Sequence, residues 1–466
     1  MAGIGFRLEK ILSKNSYTNL LEGYAYSAVV SAGPMLSTIF TIAMLMIITP
    51  GNIPTSDIVI FRTLVVYIYG FSLITTSFAQ MIITRYISDR IFMNDYRAIV
   101  PAFVGIVVIS LVIHAIIGVV AAWQLELDFG TSVTAIVLFL NIGIIWIAMI
   151  VLSAAKEFTW ITKSFAAGSL LSIAAGFILG RKMGLLGLIS GFTIGQALLV
   201  AMLMLQIFTE FEYRKRIEFS FLPYFKKFTS LAFIATFYNF GIWADKFVFW
   251  FSAGTGERIH SFLHASTVYD VPVFVAYLFV VPSLAMFTIR VETDFYFHYK
   301  KYFLSILNKH PLSSLEERRR NIVKSLKLSL GRMIVLQGTI TVIGLFIAPK
   351  IFRYLGMTPI NLGVFQIALL AAFLQVLLLT LLIIMLYFDF RIDALIMSAV
   401  FAASNLLLSM LSIKVGFSWY GYGYFISCLI SLIGGYLLFN YRMKNLLYYT
   451  FVSQKIIVYR EAPSAV

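Results

Sequence analysis

The sequence predicts an all-α polytopic membrane protein, in which twelve transmembrane helices form two pseudo-symmetric six-helix lobes around a central cavity. Of the 466 residues 60% are hydrophobic and 12% are charged, which excludes soluble globular domains. The apolar residues fall into runs near the roughly 20 residues that a membrane-spanning helix needs. A sequence pattern at the end of the second run also recurs in the second half of the chain. These observations together predict the fold class.

Twelve apolar runs carry the predicted spans, and most are separated by short polar loops. They are centred near residues 37, 71, 110, 143, 172, 196, 241, 279, 340, 374, 403 and 431. The fifth and sixth runs are separated only by Arg181, Lys182, Met183 and Gly184, so we expect a long helical hairpin there.

Basic residues concentrate in every second loop, and positively charged loops remain in the cytoplasm. Both termini are therefore predicted to be cytoplasmic. The predicted segments are an amphipathic surface stretch at 1–20, the first lobe at 21–208, a cytoplasmic linker at 209–227, the second lobe at 228–440, a basic cytoplasmic loop at 290–327 within that lobe, and a cytoplasmic tail at 441–466.

The remaining composition excludes several other classes of protein. A net charge of +15 is explained by the cytoplasmic loops, so no nucleic-acid partner is expected. The single Cys428 excludes an intramolecular disulfide and a cysteine metal cluster. His260 and His264 lack a third ligand, and no nucleotide-binding loop is present, so we expect no metal, no cofactor and no ATP-driven pump. No catalytic set of carboxylates or nucleotide-sugar motif indicates an enzyme.

A repeat relates the ends of the second and eighth spans. The residues Met81, Arg85, Asp89 and Phe92 recur 205 positions later as Met286, Arg290, Asp294 and Phe297. The same shift places the first span over the seventh, as expected for two copies of a six-span unit. Because six is even, both copies would enter the membrane from the same side, with a binding site between them. Coincidence with the general preference for arginine at cytoplasmic helix ends is the alternative.

The seventh span carries Asp245 and Lys246 within an apolar run. A charge at membrane depth costs at least a few kcal/mol unless it is paired or faces water. At helical spacing Asn239, Trp243, Lys246 and Trp250 form one stripe, with Tyr238 and Asp245 beside it. The stripe predicts contacts with a hydroxyl-rich substrate. The alternative is that Asp245 and Lys246 only lock this helix to a neighbour.

Three further features complete the candidate sites. Arg62, at the start of the second span, has Asp57 as a possible partner. Asp270 precedes Pro272 and is expected to cap the eighth span. Gly33 and Pro34 are expected to bend or break the first span, either as a hinge or as a packing kink.

The basic loop 290–327 is the main asymmetry between the halves. Ser314 and Glu317 have capping-box spacing, and Leu315, Ile322 and Leu326 follow on one side, which predicts a surface helix that leads into the ninth span. We favour anionic lipid over a partner protein as the ligand of its cationic face.

Two long stretches resemble the PelG family, the membrane transporters of the Pel exopolysaccharide system. They are MAGIGFRLEKILSKNSYTNLLEGYAYSAVVSAGP and ASTVYDVPVFVAYLFVVPSLAMFTIRVETDFYFHYKKYF. The resemblance implies the polysaccharide branch of the multidrug, oligosaccharidyl-lipid and polysaccharide exporter superfamily, with two lobes in a V. It also implies a bacterial inner-membrane complex with other Pel membrane proteins and a cytoplasmic glycosyltransferase that makes an amino-sugar polymer.

Two functions follow from these features. In the first, a nascent amino-sugar polysaccharide passes between the lobes. Its expected path residues are Asn239, Trp243, Asp245, Lys246, Tyr238, Tyr269, Asp270 and Arg62, with Arg85, Asp89, Arg290 and Asp294 at the cytoplasmic mouth and Gly33 and Pro34 as the hinge. In the second, an ion-coupled antiporter or flippase for small or lipid-linked solutes exchanges a cation at Asp245.

Overall fold

A computed structural model describes residues 17–155, 158–212, 216–290, 294–354 and 356–452. The predicted N-terminal surface stretch and the end of the tail lie almost wholly outside these residues. Nearly all of the described chain is helical, as the apolar runs predict.

The described part of the first lobe contains five α-helices, whose apolar side chains bury a common core. They are α1 (Tyr17–Ile48), α2 (Thr55–Phe92), α3 (Ile99–Leu125), α4 (Phe129–Ala155) and α5 (Phe158–Glu210). α1 continues as one helix through Pro34, so the sequence-predicted break is not seen.

The long helix α5 is the predicted hairpin of the fifth and sixth spans. Gly184 interrupts it with a left-handed φ of 58° and a ψ of −130°. A Cβ atom on Gly191 would collide with the backbone at Gly176, and one on Gly195 with the backbone of Gly168. The two arms therefore touch backbone to backbone, which small residues allow in membrane helices.

A linker connects the lobes and is attached to the first lobe. Its short helix α6 (Leu222–Lys227) follows Phe221, which is fully buried in the core of the first lobe. The Glu218 N–H donates to the Pro101 carbonyl (3.2 Å), and the hydroxyls of Tyr86 and Ser220 lie 2.6 Å apart.

The second lobe follows, with two short helices, α10 and α15, beside its basic end. Its elements are α7 (Thr229–Phe251), β1 (Glu257–His260), β2 (Leu263–Ala265), α8 (Thr267–Leu278), α9 (Val281–Arg290), α10 (Tyr296–Leu307), α11 (Leu312–Tyr354), α12 (Pro359–Tyr387), α13 (Arg391–Val415), α14 (Tyr422–Lys444) and α15 (Leu446–Phe451). β1 and β2 form an antiparallel hairpin.

Two sequence predictions are corrected here. The eighth span is broken: α8 and α9 meet at a 40° bend just before Pro282. The surface helix and the ninth span are a single helix, α11, which begins at Leu312, so Ser314 is not its N-cap. Leu315, Ile322 and Leu326, which the sequence places on one apolar side, are buried.

Length and composition alone identify eight helices among the described residues that could cross a membrane, or nine if the bent α8–α9 pair is one span. Twelve spans are reached when the arms of α5 are counted separately and α1 and α7 are included. The fold is that of two helical lobes, while the count of twelve stays a prediction.

The neighbours of each helix follow a two-fold pattern. Between the lobes α1 packs on α9, and α2 packs on α7. The predicted repeat exchanges the first span with the seventh and the second with the eighth, so it converts one of these pairs into the other. Within the lobes, α3 against α4 likewise corresponds to α11 against α12, and α1 against α5 corresponds to α7 against α13. The packing supports a parallel repeat.

Candidate translocation path

Asp245 lies in the middle of α7, and its side chain is completely buried in the second lobe. The Tyr269 hydroxyl, on α8, donates to one carboxylate oxygen (2.7 Å), and the Asn405 amide, on α13, donates to the other (3.2 Å). The Lys246 ammonium lies 3.1 and 3.2 Å from the two oxygens. The carboxylate is therefore paired and hydrogen-bonded, which is what burial of a charge requires.

Lys246 turns its ammonium group back toward the second lobe, and its side chain is 11% exposed. Nζ also donates to the Ile242 carbonyl (2.8 Å). It lies over two aromatic rings, 5.1 Å from the centroid of Tyr277 and 5.4 Å from that of Tyr424. The ammonium thus has an anion, a carbonyl oxygen and two π faces as its environment.

The same network continues into α12, α13 and α14. The Tyr277 hydroxyl donates to that of Tyr424 (3.0 Å), which donates to the amide oxygen of Gln375. The Asn405 amide also donates to the Gly241 carbonyl (2.7 Å). Five helices are thereby joined through one buried polar cluster. These contacts favour the helix-locking interpretation of Asp245 and Lys246.

Asp270 accepts hydrogen bonds from two elements beside the C-terminal end of α7. The Trp250 indole N–H donates to both carboxylate oxygens (2.8 and 2.9 Å), and the backbone N–H of Ser266 donates to one of them (2.9 Å). The N-cap of α8 is Ser266, so Asp270 lies inside the first turn and binds the N-cap N–H instead of capping the helix itself. Arg62 is close enough for its charge to act on this carboxylate.

The β-hairpin joins the lobes at this end. The Tyr67 hydroxyl, on α2, donates to the His264 carbonyl (2.9 Å), and its ring stacks on Trp250 at 4.6 Å between centroids. The Ser261 hydroxyl donates to the carbonyl of Gln124, at the end of α3 (2.8 Å). The two lobes are therefore in contact at the hairpin end of the α2–α7 pair.

Aromatic rings continue this contact along α2 and α7. Phe71 stacks on Phe247 with 5.3 Å between centroids. Trp243 lies flat against Gly70, where an added Cβ atom would be 3.1 Å from the indole ring. Only glycine lets the ring approach the backbone of α2 so closely.

Helix α2 has α1 on one side and α3 on the other. The hydroxyl oxygens of Tyr69 and Thr38, which is on α1, are 3.4 Å apart. Thr75 contacts His114 of α3 at 3.0 Å. Since α1 packs on α9, the α1 side of α2 looks toward the centre of the molecule, and the α3 side looks outward.

The two sides of the α2–α7 pair differ in chemistry. Helical geometry places Arg62, Val66, Tyr69, Leu73 and Gln80 of α2 on the α1 side, which we call the inner flank. Asn239, Ile242 and Lys246 form the corresponding side of α7. The outer flank consists of Phe71, Phe78, Phe233, Phe237, Phe240 and Phe247. An all-phenylalanine face suits lipid, whereas arginine, tyrosine and amide groups require water or polar partners.

At the basic end, three residues from different segments meet. The guanidinium groups of Arg85 on α2 and Arg391 on α13 both lie over the ring of Phe228, at 5.3 and 5.1 Å from its centroid. Arg85 also forms an ion pair with Asp89 (3.2 Å). The first lobe, the linker and the second lobe are thus in contact at the predicted cytoplasmic mouth.

Some predicted residues are not brought to this path. Tyr238 and Tyr269 are buried within the second lobe, where Tyr238 packs on Phe401. Asp57 does not pair with Arg62 but accepts the Leu185 N–H at the turn of α5 (3.1 Å).

At the predicted mouth, the side chain of Arg290 lies outside the described residues, while Asp294 is exposed just before α10.

Most residues of the polar cluster around Asp245 and Lys246 were not predicted, although Tyr269 was among the expected path residues. Gln375 and Asn405 are amides inside apolar runs, and the rule that singled out Asp245 could have been extended to them. Tyr277 and Tyr424 carry no such signal, because tyrosine is ordinary in a membrane span.

A family model matches residues 1–451: PelG, described as "Putative exopolysaccharide Exporter (EPS-E)". No curated protein sequence matches the chain.

Several solved structures share the fold. An outward-facing multidrug resistance MATE family transporter of the MOP superfamily has a TM-score of 0.64 and 11% identity, over 90% of this chain and 96% of that one. A MOP superfamily transporter from Pyrococcus furiosus Vc1, described as having a binding pocket of reverse polarity, has a TM-score of 0.63 and 12% identity, over 91% and 96%. An inward-facing MATE family transporter gives 0.57 and 12%, over 90% and 99%. At these identities the similarity shows a common two-lobe transporter fold.

Proposed function

Because the chain belongs to the PelG family of exopolysaccharide exporters, we propose that it moves a nascent amino-sugar polysaccharide across the bacterial inner membrane between its two lobes. The inner flank of the α2–α7 pair carries this proposal. It faces the α1–α9 pair and combines a guanidinium, a phenol and amides, from Arg62, Tyr69, Gln80 and Asn239.

The chemistry of the inner flank suits a hydroxyl-rich chain. Amide and phenol groups exchange hydrogen bonds with sugar hydroxyls, and aromatic rings offer flat apolar contact with a polar tip. A polymer that must keep moving needs many weak contacts rather than one tight site. The spread of these groups along two helices meets that requirement.

The buried cluster around Asp245 has a supporting role in this proposal. It fixes α7 to α8, α13 and α14, so that Asn239 is presented on a rigid helix. Removal of one member of a buried ion pair leaves an uncompensated charge and typically costs 3–5 kcal/mol.

The antiporter alternative requires Asp245 to exchange a cation. The Lys246 ammonium already lies within 3.2 Å of both carboxylate oxygens, and Tyr269 and Asn405 supply further hydrogen bonds. A cation from solution would have to displace the Lys246 ammonium, which cannot diffuse away because it is part of the chain. The geometry therefore favours polymer export over ion exchange at Asp245.

The proposed partners are other Pel membrane proteins and a cytoplasmic glycosyltransferase. The basic end, with α6, α10 and the start of α11, is the surface proposed to face the cytoplasm. Support for this orientation comes from the concentration of basic residues there.

Gene deletion and complementation test the function. In a strain that makes the polymer, deletion should abolish secreted polymer and leave polymer inside the cell. Wild-type protein should restore secretion, Asn239→Leu with Gln80→Leu should not, and Phe240→Leu with Phe78→Leu on the outer flank should. Unchanged secretion after deletion would refute the proposal.

A further inference from the structure

The described surface also contains a groove between α9 and α11 at the basic end, away from the inner flank of the α2–α7 pair. Its volume is about 570 Å³, and it is shallow and largely open to its surroundings. The residues that shape it include Met286 of α9 and Leu328, Gly331 and Val335 of α11. An added Cβ atom at Gly331 would meet nothing within 4 Å, so this glycine leaves the groove floor open.

Two cations lie at this groove, Lys327 and Arg332, and both are exposed. Neither forms an ion pair with any side chain that the structure describes. No acidic residue is among the described residues that line the groove. The groove therefore presents two uncompensated positive charges beside an apolar surface.

The apolar surface continues from the groove along α11. Leu328, Val335, Val342 and Phe346 repeat at helical spacing and are 53, 69, 51 and 79% exposed. From Arg332 to Phe346 the helix rises by about 21 Å. One leaflet of the hydrocarbon core is about 15 Å thick. The stripe is thus long enough to follow an acyl chain from the headgroup region to the middle of the bilayer.

We propose that this groove is a binding site for an acidic phospholipid, with the phosphate between Lys327 and Arg332 and an acyl chain along the stripe. Basic pockets between membrane helices on the cytoplasmic side bind anionic headgroups. A free phosphate would use the two cations but not the stripe, so the apolar continuation favours a lipid. The inference does not depend on which substrate the path carries.

Native mass spectrometry of the purified full-length protein tests the site, with phosphatidylglycerol titrated against phosphatidylcholine. We expect one retained phosphatidylglycerol per chain in the wild type and none at the same concentration in Lys327→Gln with Arg332→Gln. Each basic residue near an anionic surface contributes about 1 kcal/mol, a factor of about five, so the double variant should bind roughly thirtyfold more weakly.

The matched control is Lys324→Gln with Lys350→Gln, which removes the same charge from exposed positions of α11 outside the groove. It should bind like the wild type. Gly331→Leu fills the groove and keeps both charges, so it should also lose the lipid. All variants are compared at equal thermal stability without lipid.

Equal retention of phosphatidylglycerol by the wild type and the double variant would overturn the proposed site. Loss in the control variant as well would show a general charge effect and overturn it too. Displacement of the lipid by millimolar inorganic phosphate, or unchanged binding in Gly331→Leu, would replace the lipid site with a simple anion site.

Discussion

The hydroxyl of Tyr269 on α8 donates a 2.7 Å hydrogen bond to the buried carboxylate of Asp245 on α7. Hydrogen bonds to charged groups contribute about 1.5–3 kcal/mol. This bond therefore holds α8 against α7, which packs on α2 at the interface of the lobes.

Tyr269→Phe should lower the free energy of unfolding by about 1.5–3 kcal/mol, because it removes that bond and keeps the ring. Unfolding of the purified protein in detergent measures the change. Tyr302→Phe is the control, since its hydroxyl has only a 3.4 Å contact with Thr450. Equal effects of the two variants would contradict the assigned role of Tyr269.

Lys246→Ala should be much more harmful than the double replacement Asp245→Leu with Lys246→Leu. The single variant leaves a buried carboxylate without its cation, at about 3–5 kcal/mol, whereas the double variant leaves no charge behind. The same unfolding measurement, together with secretion of polymer, tests both. Normal secretion by the double variant would mean that pairing matters and polarity does not. Normal stability of the single variant would refute the hypothesis that the Asp245–Lys246 pair holds α7 to its neighbouring helices.

The two flanks of the α2–α7 pair predict that cysteines introduced at neighbouring positions differ in their access to water. Asn239→Cys should react with a water-soluble maleimide in intact membranes, whereas Phe240→Cys should not, because a thiol on the lipid face stays largely unionised. The native Cys428 is fully buried, so the wild type is an unlabelled background. Equal labelling of positions 239 and 240 would show that the inner flank does not face water.

Gly70→Leu should separate the lobes where the aromatic rings of α7 pack on α2. A Cβ atom added at position 70 would already be 3.1 Å from the Trp243 ring, so the rest of the leucine side chain would have to displace that ring. Overpacking of this kind typically costs about 1–3 kcal/mol. Gly338→Leu on α11 is the control, because nothing lies within 4 Å of its Cβ position. Faster hydrogen exchange in α2 and α7 of the first variant alone is the expected result. Identical hydrogen exchange in both variants would contradict the close packing of Trp243 on Gly70.

Site residues could be predicted from the sequence where burial of their side chain in a membrane costs free energy. Asp245 and Lys246 stood out because charges are rare in apolar runs, and the structure places both inside the protein. Tyr277 and Tyr424 were not predictable as partners, since tyrosine is ordinary in a membrane span and their contact joins positions far apart in the chain. The break between α8 and α9 was missed although Pro282 signals it, because the apolar run continues across the bend.

The attachment of the linker to the first lobe determines where the halves can pivot. Phe221 is buried in the first lobe and Glu218 is hydrogen-bonded to Pro101, so most of the connecting segment would travel with that lobe as one body. The first residue released from it is Phe228, whose φ of −125° and ψ of 35° separate α6 from α7. Rocking of one half against the other would then bend the chain at a single joint, whose aromatic ring is contacted by one arginine from each lobe.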